Sequence, residues 1–148
     1  MFAGEFHCIA ERTGLFVLLQ AFHQAFPING DDPGRSIIFL KSLEGSLWLY
    51  RVREWEEKLV AMRHQLDDQQ SRLFMHYMIA QSIPSKVDKK GRLAIPKALR
   101  DYAAIGAELV LVGLYDRLEL WSPSRWDAYL LGLKDQHEFL LEKIVSLL

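Results

Sequence analysis

Hydrophobic residues recur in short dense runs set between turn-forming clusters. Ile37 to Leu40, Leu47 to Tyr50, Glu108 to Gly113 and Leu118 to Trp121 are brief, β-branched or aromatic, and bounded by Gly, Ser, Asp or Asn. Such runs predict buried strands. Leu43-Glu44-Gly45-Ser46 joins the first two, and Tyr115-Asp116-Arg117 the last two, giving two hairpins. Glu5 to Ala10 alternates weakly and predicts a strand, followed by a turn at Glu11-Arg12-Thr13-Gly14. Leu15 to Leu19 is too short and too uniformly apolar to separate a strand from a helix start.

Elsewhere the spacing lengthens to that of helices. Trp55, Leu59, Met62 and Leu66 share one helical face. Asp67-Asp68 then caps a further helix with Leu73 and Tyr77 inward, joined by Phe74 and Met78. Gln20 to Phe26 reads as helical up to Pro27, with a loop from Ile28 to Arg35. Ser122 and Pro123 open a helix whose stripe is Trp126, Tyr129, Leu130 and Leu133. Phe139 to Leu148 continues as a very apolar helix, suited to packing on the body or on a neighbouring subunit.

Charge adds one local feature. The chain is near neutral, with a formal net charge of −1, yet Lys86, Lys89, Lys90, Arg92, Lys97 and Arg100 crowd one window with a single acid, Asp88. Ser82 to Val87 predicts a strand, Asp88-Lys89-Lys90-Gly91 a turn, and Leu93 and Ile95 a return strand. Gly91 suits a positive φ, and Asp88 is placed to accept amide hydrogens and to pair with Arg92. Pro96 suits the first position of a helix running from Lys97 to Ala104 and stopped by Gly106. A solvated charged tip and a nucleic-acid contact both fit these residues.

The halves also match each other. Glu11 to Leu15 lies 77 positions before Asp88 to Arg92, and past the loop at Asn29 to Arg35 the offset is 71, so that Arg53-Glu54-Trp55 overlies Ser124-Arg125-Trp126. An insertion in the first copy of a tandem repeat produces such a shift. The first copy keeps Gly14 and Arg12 but has Leu15 where the second has Arg92, and a leucine contacts neither phosphate nor a base edge.

Other chemistry finds little support. The single Cys8 forms no internal disulfide and fits a reducing cytoplasm. The five histidines lack ligand spacing, so no metal or cofactor is expected, nor an enzyme or a small-molecule substrate. No leader or apolar run of membrane-spanning length is seen, so no membrane partner is expected.

Asp88-Lys89-Lys90-Gly91-Arg92 followed by Leu93-Ala94-Ile95-Pro96, the opening Met1 to Phe6, and Leu109 to Trp121 resemble the MraZ family of bacterial transcriptional regulators. The resemblance is densest from Ile83 to Tyr129. It implies an α+β fold of two tandem AbrB/SpoVT-like strand–turn–strand–helix units: 1–76 as a degenerate first repeat with connecting helices, and 77–148 as an intact second repeat with a C-terminal helix. It further implies double-stranded DNA as partner, a homo-oligomeric ring, short direct repeats in the promoter of a division and cell-wall operon, and a cytoplasmic, nucleoid-associated location. On this reading Arg92 meets a base edge, while Lys86, Lys89, Lys90, Lys97 and Arg100 meet phosphate. Asp88, Gly91 and Gly14 are turn residues. A scaffold that has kept its hairpins only for assembly is the competing expectation: the worn first copy fits it and the cationic second turn does not.

Overall fold

The computed structural model describes residues 1–18, 22, 26 and 35–148. Most of the expected helix from Gln20 to Phe26, and most of the loop after it, lie outside the described residues. The architecture is α+β. Six antiparallel strands form the main sheet in the order β1-β7-β8-β4-β3-β5, where β1 is Phe2–Ile9, β3 Ser36–Lys41, β4 Leu47–Arg51, β5 Ile83–Lys86, β7 Glu108–Tyr115 and β8 Arg117–Trp121. A separate two-stranded ribbon pairs β2, Leu15–Val17, with β6, Arg92–Ala94.

The dense apolar runs are strands because both of their faces are covered. Ile37, Phe39, Leu47, Leu49, Leu109, Leu111, Leu118 and Leu120 face a core closed by the ribbon's Phe16 and Leu93 and by Leu99 and Ala103. Alternate residues face the other way. Ile38, Leu40 and Tyr50 pack under α1 (Val52–Arg63) through Trp55, together with Phe74 and Met78. Val110, Val112 and Trp121 pack under α4 (Pro123–Ser146) through Trp126 and Tyr129. Period-two alternation across a two-sided sheet thus yields continuous hydrophobic runs.

Residues 1–76 and 77–148 interleave. β1 pairs with β7, β5 with β3 and β2 with β6, so each segment lends strands to the other. The sequence suggested a hairpin across Asp88 to Gly91. Instead β5 and β6 enter different sheets, and the backbone bonds across the turn are local ones, Asp88 amide to Arg92 carbonyl at 2.9 Å and Gly91 amide to Asp88 carbonyl at 3.0 Å. The ladder partners that a hairpin would supply come from β3 and β2 instead.

Helix ends show the local chemistry. Asp67 caps α2 (Asp68–Phe74) in a capping box with Gln70. The chain then widens into a π turn at Met75–Ile79, closed by the Ala80 amide on the Met75 carbonyl at 2.9 Å. Phe74 and Met78, one helical turn apart, pack inward as expected, whereas Leu73 and Tyr77 are exposed. Pro96 is the residue before α3 (Lys97–Ala103) rather than its first, with an extended ψ of 145° and a carbonyl that accepts from Leu99 and Arg100. α3 stops at Ala104, which takes the left-handed conformation at φ 54°, before Gly106 is reached. Ser122 and Pro123 open α4 as expected, and Leu130 is more exposed than its stripe suggested.

β1 approaches β7 closely at Gly113, which lies opposite Gly4. A Cβ there would sit 2.5 Å from the Ala3 nitrogen and 2.9 Å from the Phe2 carbonyl carbon, both backbone atoms that cannot swing aside. Gly113→Ala is expected to displace β1 at a cost of about 1–3 kcal/mol and to lower Tm by roughly 5 °C. An unchanged melting curve would mean that β1 is not seated on β7 in solution.

Candidate nucleic-acid interface

The second turn is built around one carboxylate. Asp88 Oδ1 accepts the amides of Lys90 and Arg92, each at 2.8 Å, and Oδ2 accepts Arg92 Nε at 2.8 Å. Gly91, at φ 74°, donates its amide to the Asp88 carbonyl at 3.0 Å. Val87 is buried and pins the entry to the turn. Desolvation pushes the Asp88 carboxyl up, but the Arg92 and Lys90 amides and the Arg92 guanidinium outweigh it and hold the acid below its ordinary range. The ordering leaves Lys89 and Lys90 exposed at the tip and Lys86 exposed at the end of β5. Arg92, half-buried, lies opposite Val17 on the outer face of the ribbon, while Leu93 and Phe16 point into the core.

The first turn has the same backbone with different side chains. The Glu11 amide bonds the Leu15 carbonyl at 2.9 Å, as Asp88 bonds Arg92, and the Gly14 amide bonds the Glu11 carbonyl at 2.8 Å. Gly14 has φ 76° against 74° for Gly91. The two turns stand at opposite ends of the ribbon: the Ile95 amide reaches the Gly14 carbonyl and the Leu18 amide reaches the Gly91 carbonyl, both at 3.0 Å. With three paired residues, the ribbon separates the turns by about 10 Å along its strands.

The six expected cations therefore divide into two groups. Lys86, Lys89, Lys90 and Arg92 surround the second turn. Lys97 and Arg100 sit on α3, beside the first turn. Lys97 is exposed and pairs with Asp101 at 2.8 Å. Arg100 is turned inward: its Nε donates to the Ile95 carbonyl at 3.0 Å and one terminal nitrogen to the Arg12 carbonyl at 2.9 Å. That makes Arg100 a clamp on the first turn, joining residues 88 positions apart. Local spacing holds no signal for it. Arg12, exposed at the first turn, joins the Lys97 group and was marked in the sequence only as a remnant of the repeat.

Gly14 is enclosed by this clamp. A Cβ would lie 2.6 Å from Arg100 Cδ and Nε and from the Ile95 carbonyl oxygen. Among the described residues no group of three or more His, Cys, Asp and Glu side chains is placed to hold a metal ion, and no helix is long and apolar enough to cross a membrane.

Two outcomes follow from this geometry. Because the Asp88 acid is held below its unfolded value near 4, its contribution to stability is present above that pH and is lost as pH falls through the lower folded value. The stability difference between native protein and Asp88→Asn, measured by denaturant melts, should be constant at neutral pH and shrink below about pH 4. Arg100→Ala should speed amide exchange at Glu11 to Gly14 at least tenfold while leaving Lys90 and Gly91 unaltered. Equal acceleration at both turns would show general loosening instead of a clamp.

The family model described as "MraZ protein, putative antitoxin-like" matches residues 78–140. The chain is 31% identical to the transcriptional regulator MraZ of Moorella thermoacetica, over 99% of this chain and 98% of that protein. It is 32% identical to the protein of the same name from Desulforamulus reducens over the full length of both, and 32% identical to that of Caldicellulosiruptor bescii over 85% of this chain and 84% of that one. With identity of this level running end to end, through both turns and both hairpins, the chain belongs to the MraZ family of transcriptional regulators.

Proposed function

We propose that this chain is a sequence-specific DNA-binding regulator built of two AbrB-like repeats, 1–76 and 77–148, that grips duplex DNA through the second turn. The single observation carrying this reading is the Asp88-organised turn, which leaves Lys89 and Lys90 free of ion pairs among the described residues while fixing Arg92 beside them. Cations on a rigid turn displace condensed counterions from a duplex without the cost of ordering a loop. The relatives' printed name, transcriptional regulator, agrees with such a role.

In this reading Lys86, Lys89 and Lys90 contact phosphate. Arg92 offers its terminal nitrogens to a guanine edge while Asp88 holds its Nε. Lys97, with Arg12, contacts phosphate from the other end of the ribbon, and Arg100 acts through the clamp it makes on the first turn. Three or four phosphate contacts give a log–log salt slope of roughly −3 to −4 per subunit, which is weak. Repetition of the contact in a homo-oligomeric ring over short direct repeats converts weak contacts into useful affinity. The promoter of the chain's own division and cell-wall operon is the proposed target, reached from the cytoplasm at the nucleoid.

The test is a salt titration of binding to a labelled promoter duplex. The Lys89→Ala/Lys90→Ala variant should lose about 2 units of salt slope, and Arg92→Ala should narrow the gap between promoter and scrambled duplex by roughly tenfold or more. Native affinity and slope in both variants would move the DNA contact off this turn.

A further inference from the structure

We propose that the outer face of the β2–β6 ribbon selects thymine: Val17, assisted by Leu15, packs on the methyl group of an A·T pair adjacent to the G·C pair that Arg92 meets. The proposal rests on the DNA reading above and adds a second base pair to it, with the side chains that choose it. The register sets Val17 opposite Arg92 and Leu15 opposite Ala94, with Phe16 and Leu93 between them. Phe16 and Leu93 are buried, so the other four side chains share the opposite face. Val17 is 58% exposed, Ala94 is exposed and Leu15 is half-buried. Neither Val17 nor Leu15 belongs to a hydrophobic cluster among the described residues.

Charge identifies what covers this apolar strip. Lys86, Lys89, Lys90 and Arg92 surround its second-turn end, and Arg12, Lys97 and Arg100 its first-turn end, where Lys97 is shared with Asp101. Both ends remain net positive once Asp88 at one and Glu11 and Asp101 at the other are counted. The turns stand about 10 Å apart along the strands, and the major groove of a duplex is about 12 Å wide. A ribbon laid across the groove sets one cationic end towards each phosphate wall and turns the outer side chains to the base edges between.

Base-edge chemistry then decides which pair lies beneath. Val17 and Leu15 neither donate nor accept a hydrogen bond, and the thymine methyl is the distinctive apolar group on a major-groove edge. Over a G·C pair the same side chains would cover donors and acceptors and leave them unpaired. The expectation that leucine at position 15 meets no base edge holds for hydrogen bonds only, and a methyl group asks for none. Neighbouring strands lie about 4.8 Å apart and stacked bases about 3.4 Å apart, so β2 covers a pair adjacent to the one under β6. Arg92 on β6 takes the guanine, and β2 takes the A·T pair beside it.

The experiment compares the labelled promoter duplex with the same duplex carrying uracil at every thymine position. Uracil keeps the pairing and lacks only the methyl group. The native protein should bind the uracil duplex about fourfold more weakly, the factor for one buried methyl, with an unchanged salt slope. Single uracil replacements should place the loss beside the guanine at which Arg92→Ala relaxes preference. Val17→Ser, verified by its melting curve, should bring the two duplexes to within about twofold of each other, whereas Lys89→Ala/Lys90→Ala should weaken both and keep their ratio. Equal binding of the two duplexes by the native protein, a comparison that needs no variant, overturns the thymine contact and leaves the Arg92 contact standing. So does a ratio that persists in a Val17→Ser protein melting as the native one does. A native protein with no salt-sensitive binding to the promoter duplex overturns the DNA reading and this proposal with it.

Discussion

Two backbone hydrogen bonds, from Ile95 to Gly14 and from Leu18 to Gly91, close the ends of the β2–β6 ribbon, and the fold depends on both being made. Each uses the carbonyl of a turn glycine at positive φ, a conformation that L side chains rarely adopt. Strands of three residues have little independent stability. Their stability comes from Phe16 and Leu93, directly opposite one another and buried in the shared core. Neither half of the chain supplies that pair alone, so the sheet and the ribbon form together.

The seam between β4 and β8 shows how the halves differ within a common plan. Leu47 faces Leu120 and Leu49 faces Leu118, but at the centre Trp48 faces Glu119. A buried carboxylate is costly unless satisfied. Glu119 accepts from Arg117 at 2.8 and 3.1 Å and from Trp121 Nε1 at 2.9 Å, and the Arg117 guanidinium lies 4.0 Å from the Trp48 ring centre. Two identical residues at that position would have to be both apolar or both charged. Unequal hairpins allow one acid, one cation and two indoles to complete each other.

Much of this was legible in the sequence. The hairpins, the capped helices and the Asp88–Arg92 pair are local, set by residues a few positions apart, and hydrophobic period or turn chemistry reports them. Three features were not. The strands flanking Asp88 to Gly91 pair elsewhere, because ladder partners are chosen by tertiary packing and not by the turn. The π turn at Met75–Ile79 left no mark in the hydrophobic spacing, since a sequence read at 100° per residue cannot register an inserted residue. Arg100 counted as one more cation in a patch, when its role is decided by a carbonyl 88 positions away.

That last difference bears on how the first turn has the shape of the second with different side chains. The demands on a turn's main chain and on its side chains are separate. Gly14 answers to the main chain: its carbonyl holds Ile95, and the space where a Cβ would sit is filled by Arg100 and the Ile95 oxygen. Leu15 answers to neither, because its backbone pairs with Ala94 whatever its side chain, and that side chain lies on the outer face of the ribbon. The side chain at position 15 can therefore differ from that at 92 without disturbing the pairing of the ribbon. The glycine has no such freedom, and the cost of replacing it falls on the half of the chain that carries the cations.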